Sequence, residues 1–485
     1  MDGMPAMIGD LLLPMRRRFL REAGLGFGTL ALATLLGAES RAATTAGHRV
    51  TGAPPHHAPR ARRVIWLFMP GAPSQVDTWD YKPELQARNG QPLPGADSQV
   101  GFFQTSGKCL ASPFRWARHG ESGTWVNEEI FPLLARHVDE MCFIHSMHLR
   151  ANNHAPAAME LMCGLNRPGM PSMGAWLDYG LGTMNADLPS FVVMHERKPR
   201  GDDQIWSAGF LPKSHQALAI DARRPIAIDN LALRRGQSLD SQRAELDLLA
   251  RMNDLHARAR PTQADLAARI SSFELAYRMQ TAAPEALDLS RESQPTHDLY
   301  GTADAKCGVF AKQCLTARRL LERGVRFVQI FAGRNAAGDG AVDDVPWDGH
   351  SNIQTNHREC GLATDRPAAA LLADLKSRGM LDDTLVIWGG EFGRTSDSQG
   401  GMGRDHNPQG FTIWLAGGGV KGGFHYGATD PFGYKAVENK VHVNDLHATL
   451  LHLLGIEHER LTYRHNGRDF RLTDVGGSVL RDIIA

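Results

Sequence analysis

Residues 385–395 read LVIWGGEFGRT. The apolar run Leu385 to Trp388 has no polar alternation, which is how a strand covered on both faces reads. It stops on two glycines, and a carboxylate, Glu391, sits on the turn. A parallel strand delivers such a group to the carboxyl edge of an α/β sheet, where ligands gather. Arg404, Asp405 and His406 follow, then a second apolar strand, Phe411 to Leu415. Upstream lie Asp348 and His350, one glycine apart. Acid and imidazole groups thus recur at predicted strand edges. Together they form the ligand set of a hydrolytic divalent-metal site.

The remaining pattern alternates strands and helices. Strands are predicted at 63–69, 141–145, 191–194, 325–331, 385–388 and 411–415. Helices are predicted at 131–138, 157–163, 310–323, 367–378 and 443–454, the last ending at Gly455. This alternation predicts an α/β fold whose mostly parallel central sheet carries helices on both faces. Residues 236 to about 285 differ. Helical apolar spacing over 239–249 and 266–279, broken by Pro261, predicts a helical insertion. No internal repeat is present.

The chain has 485 residues, enough for one large α/β domain or two moderate ones. Its formal net charge is zero and no long basic run occurs, so a nucleic-acid partner has no compositional support. The 21 histidines favour a metal or acid–base site without locating it. Six scattered cysteines form no CxxC. They read either as buried thiols or as disulfides permitted by export.

At the N-terminus, Arg16, Arg17, Arg18, Phe19, Leu20 and Arg21 precede a glycine- and alanine-rich apolar run from Ala23 to about Ala38. Ser40, Arg41 and Ala42 supply small residues at cleavage positions. The pattern Arg-Arg-x-Phe-Leu-Arg resembles a twin-arginine export signal over 1–42, followed by a linker over 43–60 and one domain over 61–485. The export machinery is then a partner, and the expected location is periplasmic or extracellular. The run is shorter than the roughly 20 residues a membrane span needs. No later stretch is long enough to span a membrane.

Several groups could carry chemistry. Asp348 and His350 read as metal ligands or as an ordinary Asp-Gly turn. Glu391 reads as a ligand, an N-cap or a partner of Arg394. His406 reads as a ligand or a surface-loop residue, and Asp405 as a ligand or the group that orients His406. Asn152, Asn153 and His154 open a helix, as an anion site or as a capping turn. Asp77 and Asp80 follow the first strand's glycine turn, as ligands or turn formers. His442 and His447 flank the last helix's start and read as packed or capped residues.

Longer motifs then resemble a known family. Residues 64–80 (VIWLFMPGAPSQVDTWD), 153–156 (NHAP), 171–176 (PSMGAW), 389–395 (GGEFGRT), 403–408 (GRDHNP), 414–423 (WLAGGGVKGG) and 444–455 (NDLHATLLHLLG) are similar to bacterial proteins grouped as domain of unknown function 1501. These are sulfatase-like members of the alkaline phosphatase superfamily, and the likeness covers about residue 62 to the C-terminus. It implies a metal-dependent α/β fold that hydrolyses sulfate or phosphate esters. It implies that Asp348 and His350 are the mid-chain ligands, and that His406 resembles the last His ligand. Glu391 takes the place of the Asp in a later Asp-His pair, with Phe392 where that His would stand. His154 falls about where sulfatases keep a modified Cys or Ser.

The departures from the pattern are substantial. No Cys or Ser followed by x-Pro-x-Arg stands at the helix start. The acid expected at the end of the first strand is missing, leaving Asp77 or Asp80 to serve. The resulting expectation is an exported metal-dependent hydrolase-like protein. It holds a divalent ion (Zn, Ca, Mg or Mn) through Asp348, His350, Glu391 and His406, with Asp405 and Asp77 as further candidates. His154, Asn153 and Arg394 are the candidate catalytic residues, and Arg394 or Arg404 holds the anion of a small-molecule or glycan ester. The alternative is a non-catalytic binding or scaffold protein on the same fold, its nucleophile lost.

Overall fold

The computed structural model describes residues 54–97, 100–223, 233, 236–259, 265–332 and 345–485. The twin-arginine stretch and most of the linker lie outside these residues. Among them a nine-stranded sheet organises the fold: β1 (Arg63–Phe68), β2 (Met141–His148), β3 (Phe191–His195), β4 (Leu218–Asp221), β5 (Phe327–Phe331), β6 (Thr384–Gly389), β7 (Phe411–Ala416), β8 (Phe424–Tyr426) and β9 (Val441–His442). Its order is β8-β2-β7-β6-β1-β5-β3-β4, with β9 beside β2. Every described pairing is parallel except those of β7, which runs against both β2 and β6. The expected mostly parallel α/β sheet is therefore present.

Both faces of the sheet are covered. Alternate side chains of β1 point to opposite sides. Ile65 and Leu67 join one core with Phe310, Leu321, Leu371 and Leu375, while Val64, Trp66 and Phe68 join another with Leu161, Trp176 and Leu450. The first core is roofed by α5 (Gly308–Glu322) and α6 (Ile353–Ser377). The second is roofed by α1 (His154–Cys163), α2 (Met173–Leu181) and α7 (Val443–Leu453). Fully burying each large aliphatic side chain contributes about 1.5–3 kcal/mol, so these two layers hold the sheet edge that carries the site.

The helical insertion consists of α3 (Leu239–Ala259) and α4 (Asp265–Leu287), tied by an ion pair between Arg243 and Glu274. Met279, Ala283 and Ala286 of α4 enter the first core. Arg278 donates to the carbonyl of Ala186, in the chain leading into β3. That contact holds α4 near the amino edge of the sheet, opposite the edge that bears Glu391.

Two local expectations change, and one open choice is settled. The stretch near 131–138 is a 3₁₀ turn, Leu134–Glu140. The helix expected from Pro367 begins at Ile353, because the Asn352 side chain caps it by accepting from the Thr355 amide; Pro367 falls mid-helix. All six cysteines are buried free thiols.

Candidate metal centre

The carboxyl ends of β1 and β6 are in register, Phe68 opposite Gly389. The chain leaving β1 turns at Gly71, which has φ +97°. A Cβ there would lie 2.6 Å from the Asp348 amide nitrogen and 2.7 Å from that of Trp347. Only glycine lets the Asp348 loop close against this turn, and the Trp347 amide fixes it by donating to the Pro70 carbonyl. The Gly71 amide itself donates to Glu391 Oε1 at 3.0 Å. Three chain segments distant in sequence are thereby joined at one sheet edge.

Four side chains converge there. His154, Asp348, His350 and His406 each offer a ligand atom, all within 4.8 Å of one another. His350 Nε2 lies 2.8 Å from Asp348 Oδ1, His154 Nε2 lies 3.2 Å from Asp348 Oδ2, and His406 Nε2 lies 3.5 Å from Asp348 Oδ1. His350 Nε2 and His406 Nε2 are 3.0 Å apart. In a tetrahedral site with bonds of 2.0–2.1 Å, neighbouring ligand atoms stand about 3.3 Å apart. The four separations above, 2.8 to 3.5 Å, bracket that value, and no pair of the ligand atoms exceeds 4.8 Å.

The outward nitrogens explain the orientation. His154 Nδ1 meets Glu391 Oε1 at 2.6 Å, His350 Nδ1 meets Gln399 Oε1 at 2.6 Å, and His406 Nδ1 meets the Asn152 carbonyl at 2.7 Å. Each partner is an acceptor, so each ring keeps a proton on Nδ1 and turns Nε2 inward, the orientation a metal requires. His154 Nε2 is buried and has no hydrogen-bond partner, since Asp348 lies close but out of line. The donor set fits a metal ion.

Charge supports the same reading. Burial works against ionisation of Asp348, yet the Arg394 guanidinium and the surrounding imidazoles hold its carboxyl far below the usual carboxylate range. Burial, helped by Arg394, pushes His406 down to about 3 despite the pull of Asp348, so it is neutral and ready to coordinate. Burial also opposes protonation of His154, but the carboxylates of Asp348 and Glu391 on its two nitrogens lift it to about 9. Without an ion, a proton on His154 balances the two acids. A metal ion takes over that balance by displacing the proton.

Other expected site residues stand elsewhere. Glu391 lies behind His154 and outside the converging group, and its Oε2 is buried without a partner. Asp405 also stands back. It accepts from the amides of His406 and Phe103 at 2.7 and 2.6 Å, and burial raises its pKa. Asp77 does not reach the cluster. Ser74 and Arg404 engage it, and Arg404, despite the cost of burial, keeps its carboxyl below the usual range. Asp80 pairs with Lys82 and Thr429. Asn153 is exposed and makes no side-chain cap.

The arginines are not available to an anion. Arg394 spends its side-chain donors on the carbonyls of Gly71, Ala72 and Arg404, on Asp348 and on His350 Nε2. Arg404 is fully buried and spends its own on Asp77, Thr395 and Leu110. Arg394's charge acts on the site through Asp348, while Arg404's is spent on Asp77 outside the cluster. His154 is held by Glu391 on Nδ1 and faces Asp348 with Nε2, a placement suited to a ligand. Gln399, Gly71 and the Asn152 carbonyl complete the site. Gly71 sits in a turn and Asn152 at a helix start that the sequence marks, but their partners, like that of Gln399, lie across a long sequence separation.

Residues 61–484 match the family described as "Protein of unknown function (DUF1501)". No curated protein matches the chain. Similar solved structures include the phosphonate monoester hydrolase SpPMH from Silicibacter pomeroyi, with 10% identity over 87% of this chain and 76% of that one and a TM-score of 0.37. The PsFucS1 sulfatase from Pseudoalteromonas sp. has 13% identity over 82% and 69%, with a TM-score of 0.34. The alkaline phosphatase of the Antarctic bacterium TAB5 has 13% identity over 74% and 92%, with a TM-score of 0.29. Likeness at this level says nothing about the reaction.

Proposed function

The chain belongs to the DUF1501 family, and from that premise and the geometry above we propose that it is an exported, metal-dependent hydrolase of sulfate or phosphate esters. One observation carries the metal dependence: three imidazoles turn their Nε2 atoms toward one ionised carboxylate, each ring locked from behind. His154, Asp348, His350 and His406 would hold the ion. Three nitrogens and one oxygen favour Zn or another transition ion over Ca or Mg, which prefer oxygen donors. Such an ion supplies Lewis-acid polarisation of an ester oxygen and a lowered pKa for water.

The chain's own groups then have defined tasks. Glu391 fixes the His154 ring. Arg394 keeps Asp348 ionised. Glu391 Oε2, buried and unpartnered, is a free carboxylate oxygen behind His154 that can receive a proton. With His154 Nδ1 held by Glu391 and its Nε2 assigned to the ion, this reading makes water the attacking group. The ester class rests on the resemblance of motifs 64–80, 389–395 and 403–408 to sulfatase-like proteins. Export rests on the Arg16–Arg21 motif alone; among the described residues no helix is long and apolar enough to cross a membrane.

A second reading is a non-catalytic binding protein. The engagement of His154 favours it, because no free nucleophile stands at the helix start. The test is a turnover assay of zinc- and manganese-loaded protein with 4-nitrophenyl phosphate and 4-nitrophenyl sulfate, beside His406→Ala. Metal-dependent release of nitrophenol, lost in the variant, supports the hydrolase. A loaded protein that binds phosphate yet turns over neither ester overturns it in favour of the binder.

A further inference from the structure

Two adjacent aromatic rings stand on the rim of the histidine cluster. Phe102 and Phe103 are each 49% exposed. Their centroids are 5.0 Å apart, edge to face. Phe102 lies 5.7 Å from the His406 ring, and Phe103 packs edge-on against the His350 ring at 5.1 Å. Neither ring is needed by a core: both belong to no buried cluster. Large apolar side chains left this exposed in a pair, against two ligand histidines, are a recognition feature rather than background.

The rings are also held in place. The Phe103 amide donates to Asp405 Oδ2 at 2.6 Å, and Asp405 Oδ1 accepts from the His406 amide at 2.7 Å. One carboxylate therefore fixes both the ring-bearing segment and a ligand histidine. The Asn152 side chain donates to the Gly101 carbonyl at 3.0 Å, while its own carbonyl holds His406 Nδ1. Gly101 sits so close that a Cβ would fall 2.2 Å from Asp405 Oδ2. Segment and metal centre are built as one unit.

We infer that Phe102 and Phe103 form the leaving-group subsite and select esters whose alcohol presents a flat apolar ring face beside the reacting oxygen. This inference rests on the hydrolase reading for the word "leaving group", but the subsite is testable without turnover. A ring stacked on one phenylalanine meets the edge of the second, the offset and T-shaped arrangements aromatic faces prefer.

The experiment is calorimetric titration of the zinc-loaded protein with phenylphosphonate, cyclohexylphosphonate and methylphosphonate, none of which is an ester that can be cleaved. The wild type is expected to bind phenylphosphonate about tenfold more tightly than methylphosphonate. The Phe102→Ala/Phe103→Ala double variant should lose that preference while keeping full zinc stoichiometry. Phe102→Leu/Phe103→Leu should keep part of it. Cyclohexylphosphonate separates the ring sources: binding equal to phenylphosphonate points to a sugar-like CH face, and weaker binding points to an aryl group. Equal affinity for phenyl and methyl forms, or a preference unchanged in the double variant, overturns the subsite even if esters are hydrolysed. A ring preference without any ester turnover would retain the subsite and reject the hydrolase.

Discussion

His350 Nε2 stands 3.0 Å from His406 Nε2, and each ring is turned so that its Nδ1 meets an acceptor, Gln399 Oε1 or the Asn152 carbonyl. With both Nδ1 atoms protonated, two nitrogen lone pairs face each other and repel, and the Arg394 guanidinium reaches His350 Nε2 only at 3.5 Å. Beside them His154 Nε2 is buried without a hydrogen-bond partner, which costs about 1–3 kcal/mol. A cation among the three rings, next to Asp348, removes both costs.

Glu391→Gln tests the carboxylate behind His154. The amide can still accept from Nδ1, but without charge. Zinc affinity should fall about 10–100-fold while stoichiometry at saturation is kept. Competition titration against a chelating dye reads the difference. Complete loss of binding would make Glu391 a direct ligand.

Asp77→Asn separates structure from ligation. Asp77 and Arg404 are both fully buried and pair through Arg404 Nε at 2.6 Å. Breaking such a pair destabilises by about 3–5 kcal/mol. Urea unfolding should show that loss, and the fraction that remains folded should bind metal at the wild-type ratio. An unchanged unfolding midpoint with loss of metal would reverse the assignment.

Gly403→Ala should reach the metal centre through packing. A Cβ on Gly403 would fall 1.6 Å from the His350 carbonyl oxygen. The backbone must move, and Gln399, paired to Gly403 through both amides, moves with it. Overpacking of this kind costs about 1–3 kcal/mol, and displacement of His350 should also weaken zinc binding. Thermal unfolding with and without zinc measures both: the stabilisation conferred by zinc should shrink in the variant.

Acid stability follows from histidines remote from the metal centre. Burial holds both His145 and His447 down to about 4, against about 6.5 in an unfolded chain. Between those values the unfolded chain binds more protons than the folded one. Stability therefore falls as pH drops from 6.5 toward 4, by about 1.4 kcal/mol per pH unit for each group. His447→Gln, which can still donate to the Leu161 carbonyl that His447 Nε2 contacts at 2.8 Å, should flatten that slope by one proton. Urea midpoints across this pH range give the comparison.

The sheet was legible because buried parallel strands leave unbroken apolar runs: Val64 to Phe68, Phe327 to Phe331 and Leu385 to Trp388 all lie where periodicity puts them. Asp348, His350 and His406 were legible as acids and imidazoles at strand edges. The roles of Glu391, Asp77 and Arg394 were not, because a carboxylate at a strand end looks the same whether it faces an ion, a ring nitrogen or an arginine. That choice depends on Gly71, Gly403, Gln399 and the Asn152 carbonyl, which act across the fold and leave no local pattern. Phe102 and Phe103 were silent for the same reason.

The most direct test is elemental analysis of the purified protein after dialysis against zinc, beside His406→Ala and Asp348→Ala, with circular dichroism to verify folding. One metal ion per chain in the wild type, and much less than one in both folded variants, is the predicted result. A folded wild type that retains no metal, or variants that retain as much as the wild type, would contradict the His154–Asp348–His350–His406 centre.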